Sequence, residues 1–404
     1  MDWSFLTKRN DALCVTTDSR KVVPGCVFVA LKGEHFDGND FVEQAKAQGA
    51  AYVICGENAL AQLQDLARAW RRELGLPVLA ITGTNGKTTT KELTAAVLKM
   101  KYNLYYTQGN LNNQLGVPLT LLNITRAHEL AIVEMGASHP GDIKELVEIA
   151  EPNYGLITNV GKAHLQGFGS FEGVQKTKAE LYDFLIAHNG TIFRNADNPY
   201  LARMLEKSSE TVNSQLSIVN YHTGTMPEGT HLVGGYNAEN VSAAICVGTY
   251  FGVSEEEALA AIRAYVPTNN RSQLMQTEKN TVVVDAYNAN PTSMQAAIEA
   301  FDHSTLNTQH STAHTPKAYV LGAMRELGEY SHLEHQNIVN MLLERKADKV
   351  LLVGDEYKET TTPYPVYDNV QALCEALQKE PLTGYHILLK GSRSNELERV
   401  IPLL

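Results

Sequence analysis

The sequence predicts an α/β protein of three domains: a small mixed α/β N-terminal unit, a central P-loop ATPase unit with a mainly parallel sheet, and a Rossmann-like C-terminal unit. Three observations lead there. The chain has 404 residues, and at roughly 100–200 residues per domain three is the natural first division. From Pro77 onward short apolar runs alternate with longer periodic segments, and after Val266–Asn270 the alternation restarts at Thr281. That is the pattern of parallel sheets covered on both faces. A glycine-rich turn carrying Gly86-Lys87-Thr88-Thr89 joins one of these strands to a helix. The expected domains span 1–77, 78–268 and 269–404.

In the first unit Val27–Leu31 reads as a strand, followed by a loop holding Gly33 and Gly38. Asp40–Gln48 reads as a helix, with Phe41, Ala45 and Gln48 on one face and Gly49 as its stop. Ala51–Cys55 is a second strand. In the second unit the strands are Val78–Thr82, Leu130–Glu134 and Leu156–Val160. Their helices are Lys87–Met100, Asp142–Ala150 (stopped by Pro152) and Phe171–Leu185. The polar stretch 205–233 carries no assignable pattern, and Asn240–Tyr250 resumes as a helix. Val266–Asn270 reads as a linker. The third unit alternates strand Val282–Val284, helix Ser293–Phe301, strand Ala318–Leu321, helix Leu333–Arg345 and strand Lys349–Val353. His386–Leu389 leads into a last helix, and His303–Thr315, rich in Ser, Thr, His and Asn, is a surface loop.

Composition narrows the function classes. A hydrophobic share of 44% and a charged share of 20% exclude a disordered or coiled-coil protein. The net charge of −11 opposes non-specific binding to nucleic acid or anionic membranes. No run of about eighteen apolar residues predicts a membrane span. Met1–Leu6 lacks a basic region followed by an apolar run, so a cytoplasmic rather than a secreted protein is expected. Cys14, Cys26, Cys55, Cys246 and Cys374 are scattered without a C-x-x-C pair, which predicts reduced thiols and no zinc site.

The chemistry is carried first by Thr82-Gly83-Thr84-Asn85-Gly86-Lys87-Thr88-Thr89. Glycines let backbone N–H groups turn toward a phosphate, the helix N-terminus adds positive potential, and a lysine reaches the outer phosphates. The Thr88 hydroxyl is placed to hold Mg²⁺. The common G-x-x-x-x-G-K-T loop would need glycine where Ile81 stands. The shorter G-x-x-G-K-T loop fits ATP-dependent amide ligases better than kinases, GTPases or motors.

Further segments occur in a fixed order: Asp18-Ser19-Arg20, Gly109–Pro118 (G-N-L-N-N-Q-L-G-V-P), Glu134-Met135-Gly136-Ala137, Thr158–Leu165 (T-N-V-G-K-A-H-L), Asp285–Pro291 (D-A-Y-N-A-N-P) and Lys390-Gly391-Ser392-Arg393-Ser394. As a set they resemble the Mur ligase family of peptidoglycan synthesis. Within it they look like the branch that adds D-Ala-D-Ala to UDP-MurNAc-tripeptide. The resemblance runs from about residue 18 to the C-terminus, apart from 205–233, which looks shorter than the family's central-domain insertion.

The resemblance implies ATP and Mg²⁺ as cofactors, a bacterial cytoplasmic setting, and a monomer whose partners are the two small-molecule substrates. It also implies an acyl phosphate made on the tripeptide carboxylate and then attacked by the dipeptide amine. Catalysis would rest on Lys87, Glu134, His164 and Lys178, and the metal on Thr88, Glu134, His164 and Lys178, with the lysine carried as a carbamate. Gly83, Thr84, Asn85, Gly86, Lys87, Thr88, Thr89, Asn159, Asn237, Asn240, Arg271 and Asp285 would bind ATP. Ser19, Arg20, Lys32, Gly33, Asn110, Asn112 and Asn113 would bind the UDP-sugar peptide, and Arg325, Ser392 and Arg393 the dipeptide. Two positions depart from the family pattern: Tyr236 where a histidine is common, and Ala323 where an aspartate is common.

Plainer roles exist for several of these residues. Glu134 at a strand end also suits a helix cap, Asn237 a helix N-cap, Asp285 a turn, Arg20 an exposed surface charge, and Lys176 and Lys178 a solvated helix face. Three other functions compete: a Mur ligase adding a single amino acid, a nucleotide-binding module without catalysis, and a folylpolyglutamate synthase, which would leave Asp18-Ser19-Arg20 unexplained. The second predicts damaged metal ligands, yet Thr88, Glu134, His164 and Lys178 are all present.

Overall fold

The computed structural model describes residues 11–33, 36–209, 216–268, 270–303, 315–345 and 347–404. The opening segment Met1–Leu6, Asn269 of the linker, residues 210–215 of the unassigned stretch and residues 304–314 of the polar loop lie outside the described residues. Three sheets order the chain, with three, six and six strands.

The first sheet holds β1 (Val15–Thr16), β2 (Val27–Val29) and β3 (Tyr52–Ile54), all parallel. α1 (Val42–Ala47) follows a 3₁₀ turn over Gly38–Phe41. Pairing of Val15 with Val27 sets Cys14 beside Cys26, with Cα atoms 4.7 Å apart, and the two form a disulfide. This corrects the expectation of five reduced thiols. Register between strands, invisible in the spacing of the cysteines, brings them together. Cys55, Cys246 and Cys374 are free.

α2 (Ala59–Leu74) is a helix beyond those expected, with a clear apolar pattern. Ala59, Leu63, Leu66, Ala67 and Trp70 are buried at helical spacing, and Gly75 caps the end at φ 63°. The apolar stripe packs on the central domain as well as on its own small sheet. Trp70 Nε1 donates to Ile124 O at 2.9 Å, and Arg71 Nε donates to Ala150 O at 2.9 Å. A three-stranded sheet of this size buries little core by itself, so its helix completes one with the neighbouring domain.

The central sheet is parallel throughout: β4 (Val78–Thr82), β5 (Leu104–Tyr106), β6 (Leu130–Glu134), β7 (Tyr154–Ile157), β8 (Thr191–Asn195) and β9 (Ser217–Tyr221). Their order is β5-β6-β4-β7-β8-β9. Alternate residues face opposite layers. Val78 and Ala80 join the core under α4 (Gly116–Leu122), α5 (Asp142–Ala150) and α7 (Phe171–Ala187), with the short α6 (Leu165–Phe168) before α7. Leu79 and Ile81 join the core under α3 (Lys87–Leu98), α9 (Asn237–Tyr250) and α10 (Glu255–Ala264). The stretch that resisted assignment supplies the end of α8 (Pro199–Ser209) and the edge strand β9. β4 lies between β6 and β7, so the connections diverge at its C-terminal end, where α/β sheets place ligands.

The third sheet runs β10 (Gln273–Gln276), β11 (Thr281–Asp285), β15 (His386–Lys390), β12 (Lys317–Gly322), β13 (Lys349–Val353) and β14 (Val366–Tyr367). Only β10 is antiparallel to its neighbour. α11 (Pro291–His303) and α12 (Ser331–Glu344) cover one face, and α13 (Val370–Lys379) covers the other. The helix expected after His386–Leu389 is instead two 3₁₀ segments, Arg393–Asn395 and Leu397–Leu403. Pro402 sits inside the second and removes a backbone donor.

Central and C-terminal domains are docked. Lys162 Nζ meets Glu334 Oε1 at 2.8 Å, and the Lys162 N–H donates to Thr292 Oγ1 at 3.1 Å. Thr292 packs against Gly161, where a Cβ would lie 2.9 Å from its hydroxyl.

Candidate active site

The phosphate loop follows β4 and is shaped by two glycines. Gly83 has φ +143°, and a Cβ there would sit 2.0 Å from Thr158 Oγ1. Gly86, at φ +81°, opens α3, and a Cβ there would sit 2.4 Å from Asn240 Oδ1. Both positions combine a left-handed backbone with a wall, so only glycine fits. The loop is tied to the end of β7: the Thr84 N–H donates to Asn159 O at 2.9 Å, the Asn85 N–H to Asn159 Oδ1 at 3.0 Å, and Thr158 Oγ1 to Asn85 O at 2.6 Å.

Lys87 folds back on this loop, donating to Gly83 O at 2.8 Å and Thr84 O at 2.9 Å. Burial lowers its amine to about 8, nearby Arg271 adds to the fall, and Glu134 opposes it. Glu134, the last residue of β6, is buried. Its Oε1 accepts from Thr88 Oγ1 at 3.2 Å and from Asn112 Nδ2 at 2.8 Å. Its Oε2 is buried without a hydrogen bond; the nearest cation, the wholly buried Lys91, stands at 3.6 Å, too far to donate one. Neither Glu134 oxygen caps a helix.

His164 and Lys178 approach from the other side. His164 has a left-handed backbone, φ 50°, and its Nδ1 contacts Glu326 of the C-terminal domain, also left-handed at φ 61°. Burial lowers its pKa, Glu326 opposes the shift, and Lys87 and Lys178 reinforce it. Lys178 is buried on α7, not on a solvated face. Among the described residues its amine makes no hydrogen bond, and the nearest ring is Phe168, 5.8 Å from Nζ to centroid. Burial pushes its pKa well down, and Lys87 adds repulsion.

α9 begins at Asn237, with Tyr236 as its N-cap residue, so Asn237 is not the cap. Asn237 Nδ2 donates to Val233 O, its Oδ1 accepts from Asn240 Nδ2, and Asn240 Oδ1 accepts from Thr90 Oγ1. Tyr236 hydrogen-bonds Ser272 at 2.7 Å. Across the cleft the Arg271 guanidinium stacks on Tyr287 at 3.9 Å, and Asp285 binds Lys390 Nζ at 2.6 Å. A cleft of about 610 Å³ is lined by Thr84–Thr89, Asn110, Asn112, Asn113, Glu134, Asn159, His164, Asn237, Asn240, Arg271 and Asp285. It therefore gathers the residues expected to bind ATP apart from Gly83, the asparagine loop, and Thr88, Glu134 and His164 of the expected metal ligands, but not Lys178.

Other predicted residues lie away from that cleft's lining. Arg20 is exposed and grips Asp18 through both carboxylate oxygens, which holds the Asp18 carboxyl down at about 2. Lys32 and Gly33 are exposed on the same small domain, with Lys32 3.9 Å from Asp37, and Ser19 is half-buried there. Arg325 binds Glu356 and Ser394 and borders a separate cavity of about 250 Å³. Ser392 is buried and accepts from the Arg325 N–H at 3.2 Å; Arg393 is exposed, 5.8 Å from the Tyr287 ring. Ala323 is fully buried, and a Cβ on Gly354 would lie 2.6 Å from its own, which leaves little room there for a larger side chain.

Lys91, Tyr287, Asn290 and Glu326 shape the site without an expected role in the sequence, and Lys390, expected with Ser392 and Arg393 near the dipeptide, instead pairs with Asp285. Tyr287 and Asn290 lie within the D-A-Y-N-A-N-P segment; Lys91, four residues after Lys87 and so on its helix face, had a readable signal. Glu326 had none.

Comparison with known proteins agrees along the chain. Residues 81–220 match the Mur ligase middle domain, 270–393 the Mur ligase glutamate ligase domain and 13–99 the Mur ligase family catalytic domain. UDP-N-acetylmuramoyl-tripeptide--D-alanyl-D-alanine ligase of Bacillus subtilis is 33% identical, aligning 96% of this chain with 92% of its own. The Escherichia coli protein of that name is 34% identical over 96% and 93%. The crystal structure of MurF ligase from Thermotoga maritima in complex with ADP superposes with a TM-score of 0.84 at 27% identity, covering 100% of this chain and 98% of that one. With the phosphate loop, the buried acid of β6 and three matching domains in place, the chain belongs to the Mur ligase family.

Proposed function

We propose that this ligase joins D-alanyl-D-alanine to the terminal carboxylate of UDP-MurNAc-tripeptide, giving UDP-MurNAc-pentapeptide, ADP and phosphate. The observation that carries the reading is one cleft in which the phosphate loop, Glu134 and the asparagines of residues 110–113 face one another. The names of relatives aligned over 96% of the chain support the substrates.

A carboxylate oxygen of the tripeptide attacks the γ-phosphorus, and ADP leaves. The dipeptide amine then attacks the acyl-phosphate carbon, and the tetrahedral intermediate loses a proton and expels phosphate. Several anionic groups meet here, so positioned cations carry much of the stabilisation. Lys87 exchanges the carbonyls of Gly83 and Thr84 for β- and γ-phosphate oxygens, and nearby phosphate restores its full charge. Gly83–Thr89 cradle the phosphates, Asn159, Asn237 and Asn240 border the nucleotide, and Arg271 and Asp285 complete it from the C-terminal domain. Asn110, Asn112 and Asn113 orient the peptide.

Glu134 Oε2, without a hydrogen bond and 3.6 Å from Lys91 Nζ, with Thr88 on Oε1, offers oxygens of the kind a hard cation takes. Among the described residues no three His, Cys, Asp or Glu side chains cluster to hold a metal, so the set of Thr88, Glu134, His164 and Lys178 relies on a hydroxyl and on a modified lysine. Mg²⁺ bound there would neutralise phosphate charge. The Lys178 amine, unbonded and pushed toward neutrality, suits reaction with CO₂, and the carbamate would present oxygens instead of a cation.

Ser19, Arg20, Lys32 and Gly33 bind the UDP end, and Arg325, Ser392 and Arg393 the dipeptide carboxylate. The domains divide as 1–77, 78–268 and 269–404, and the enzyme acts as a monomer in the cytoplasm. No described helix is long and apolar enough to cross a membrane. Phosphate release is measured with ATP and each UDP-peptide, with and without D-Ala-D-Ala. Release that requires the dipeptide is expected; release driven by a single amino acid would assign a different Mur ligase reaction.

A further inference from the structure

The closest meeting of two domains at the phosphate loop is made by a residue outside the cleft's lining. Asn290 is buried and immediately precedes Pro291, the first residue of α11. Its Oδ1 accepts from the Ser293 N–H at 2.9 Å, and its own N–H donates to Ser293 Oγ at 3.1 Å. That is a reciprocal helix cap, with proline at the position that needs no donor. The cap settles the orientation of the amide: Oδ1 is committed to the helix, so Nδ2 points away from it. Nδ2 donates to Asn85 Oδ1 at 2.7 Å, while Asn85 Nδ2 returns a longer contact to Asn290 Oδ1 at 3.4 Å.

Asn85 is thus held twice. Asn159 and Thr158 of the central domain hold its backbone, and Asn290 of the C-terminal domain holds its side chain. The next residue of the same helix, Thr292, accepts from the Lys162 N–H, so the first turn of α11 seats on both loops that frame the phosphates.

We propose that Asn290 is a positioning residue for the phosphate loop, its helix cap aiming Nδ2 at Asn85 so that docking of the C-terminal domain sets the loop for the nucleotide. This rests on the reading of the cleft as the ATP site. Asn290→Asp separates the two roles, because aspartate caps a helix as well as asparagine does but presents an acceptor to Asn85 Oδ1. Asn290→Ser keeps a cap and loses the reach.

The test measures affinity for a non-hydrolysable ATP analogue by calorimetry, and the KM for ATP and kcat of dipeptide-dependent phosphate release. It uses the wild type, both Asn290 variants, Asn85→Ala and the double variants, with melting temperatures alongside. Both Asn290 variants are expected to melt near the wild type and to lose about tenfold or more in kcat/KM for ATP, since small misplacements of positioned groups have effects of that order. In the Asn85→Ala background the same changes should add nothing, because the partner is gone. Wild-type nucleotide handling in both variants would overturn the proposal, as would an undiminished loss in the Asn85→Ala background. A wild-type protein that fails to bind the analogue would instead overturn the ATP reading beneath it.

Discussion

At Glu134 one carboxylate has two unlike oxygens, one taken by Thr88 and Asn112 and one left unbonded in the interior. The buried Lys91 ammonium, 3.6 Å from that second oxygen, offsets part of its desolvation cost, and the neighbouring amines carry such a cost of their own. Lys87 ordinarily loses its proton near 10.5 and does so here at about 8, chiefly through burial. Below about 8 both folded and unfolded chains hold that proton, and the fold bears the full desolvation penalty. Between 8 and 10.5 only the unfolded chain still holds it, so this group's contribution to stability rises with pH. Thermal unfolding of the nucleotide-free wild type should therefore gain on Lys87→Met across that window; parallel pH curves would refute it. Lys178→Ala should lose most activity, and short carboxylic acids should partly restore it by supplying oxygens to the vacated space. A fully active, unrescued Lys178→Ala enzyme would remove the carbamate from the mechanism. Lys87 and Glu134 stood out in the sequence because each sits in a local strand–loop–helix motif, whereas Lys178 was singled out only by the family resemblance. The burial of Lys178 was not legible, since Lys176 and Lys178 together read as a solvated helix face.

Among the elements, α2 does the most unexpected work. It belongs by sequence to the small first domain, yet Trp70 and Arg71 hydrogen-bond to carbonyls at Ile124 and Ala150 of the second. Trp70→Ala removes a fully buried indole and its hydrogen bond. Denaturant titration should show a loss of about 3–5 kcal/mol, and a change under about 1 kcal/mol would mean that α2 is not part of the central core. The continuous burial of β4, β6 and β11 was readable from continuous apolar runs. α8 and β9 were not, because β9 is an edge strand with only Tyr221 buried and carries no apolar run. The C-terminal 3₁₀ segments escaped for a similar reason: Pro402 breaks a pattern that otherwise reads as helix.

For the whole molecule the decisive feature is the seam between the second and third domains. It carries Lys162–Glu334, His164–Glu326, Thr292 against Gly161 and the Asn85–Asn290 pair, and it borders the cleft directly. Its contacts are mostly polar: the Lys162–Glu334 ion pair, the His164–Glu326 contact, Tyr236 with Ser272 and the Val233 N–H on Ser272 O, so the seam resembles a reversible interface more than a fused core. Small-angle scattering should show a smaller radius of gyration once UDP-MurNAc-tripeptide and an ATP analogue are both added. An unchanged curve would argue that the domains stay docked throughout turnover.

What the sequence determined by itself is the local chemistry: a glycine-shaped turn between a buried strand and a helix needs only a few consecutive residues, and so do strand ends carrying an acid. What only the tertiary structure decided is pairing between distant segments: Cys14 with Cys26, Asp285 with Lys390, His164 with Glu326 and Asn85 with Asn290. Those contacts depend on sheet register and on how two domains meet, and neither is written in the periodicity of any one stretch of chain.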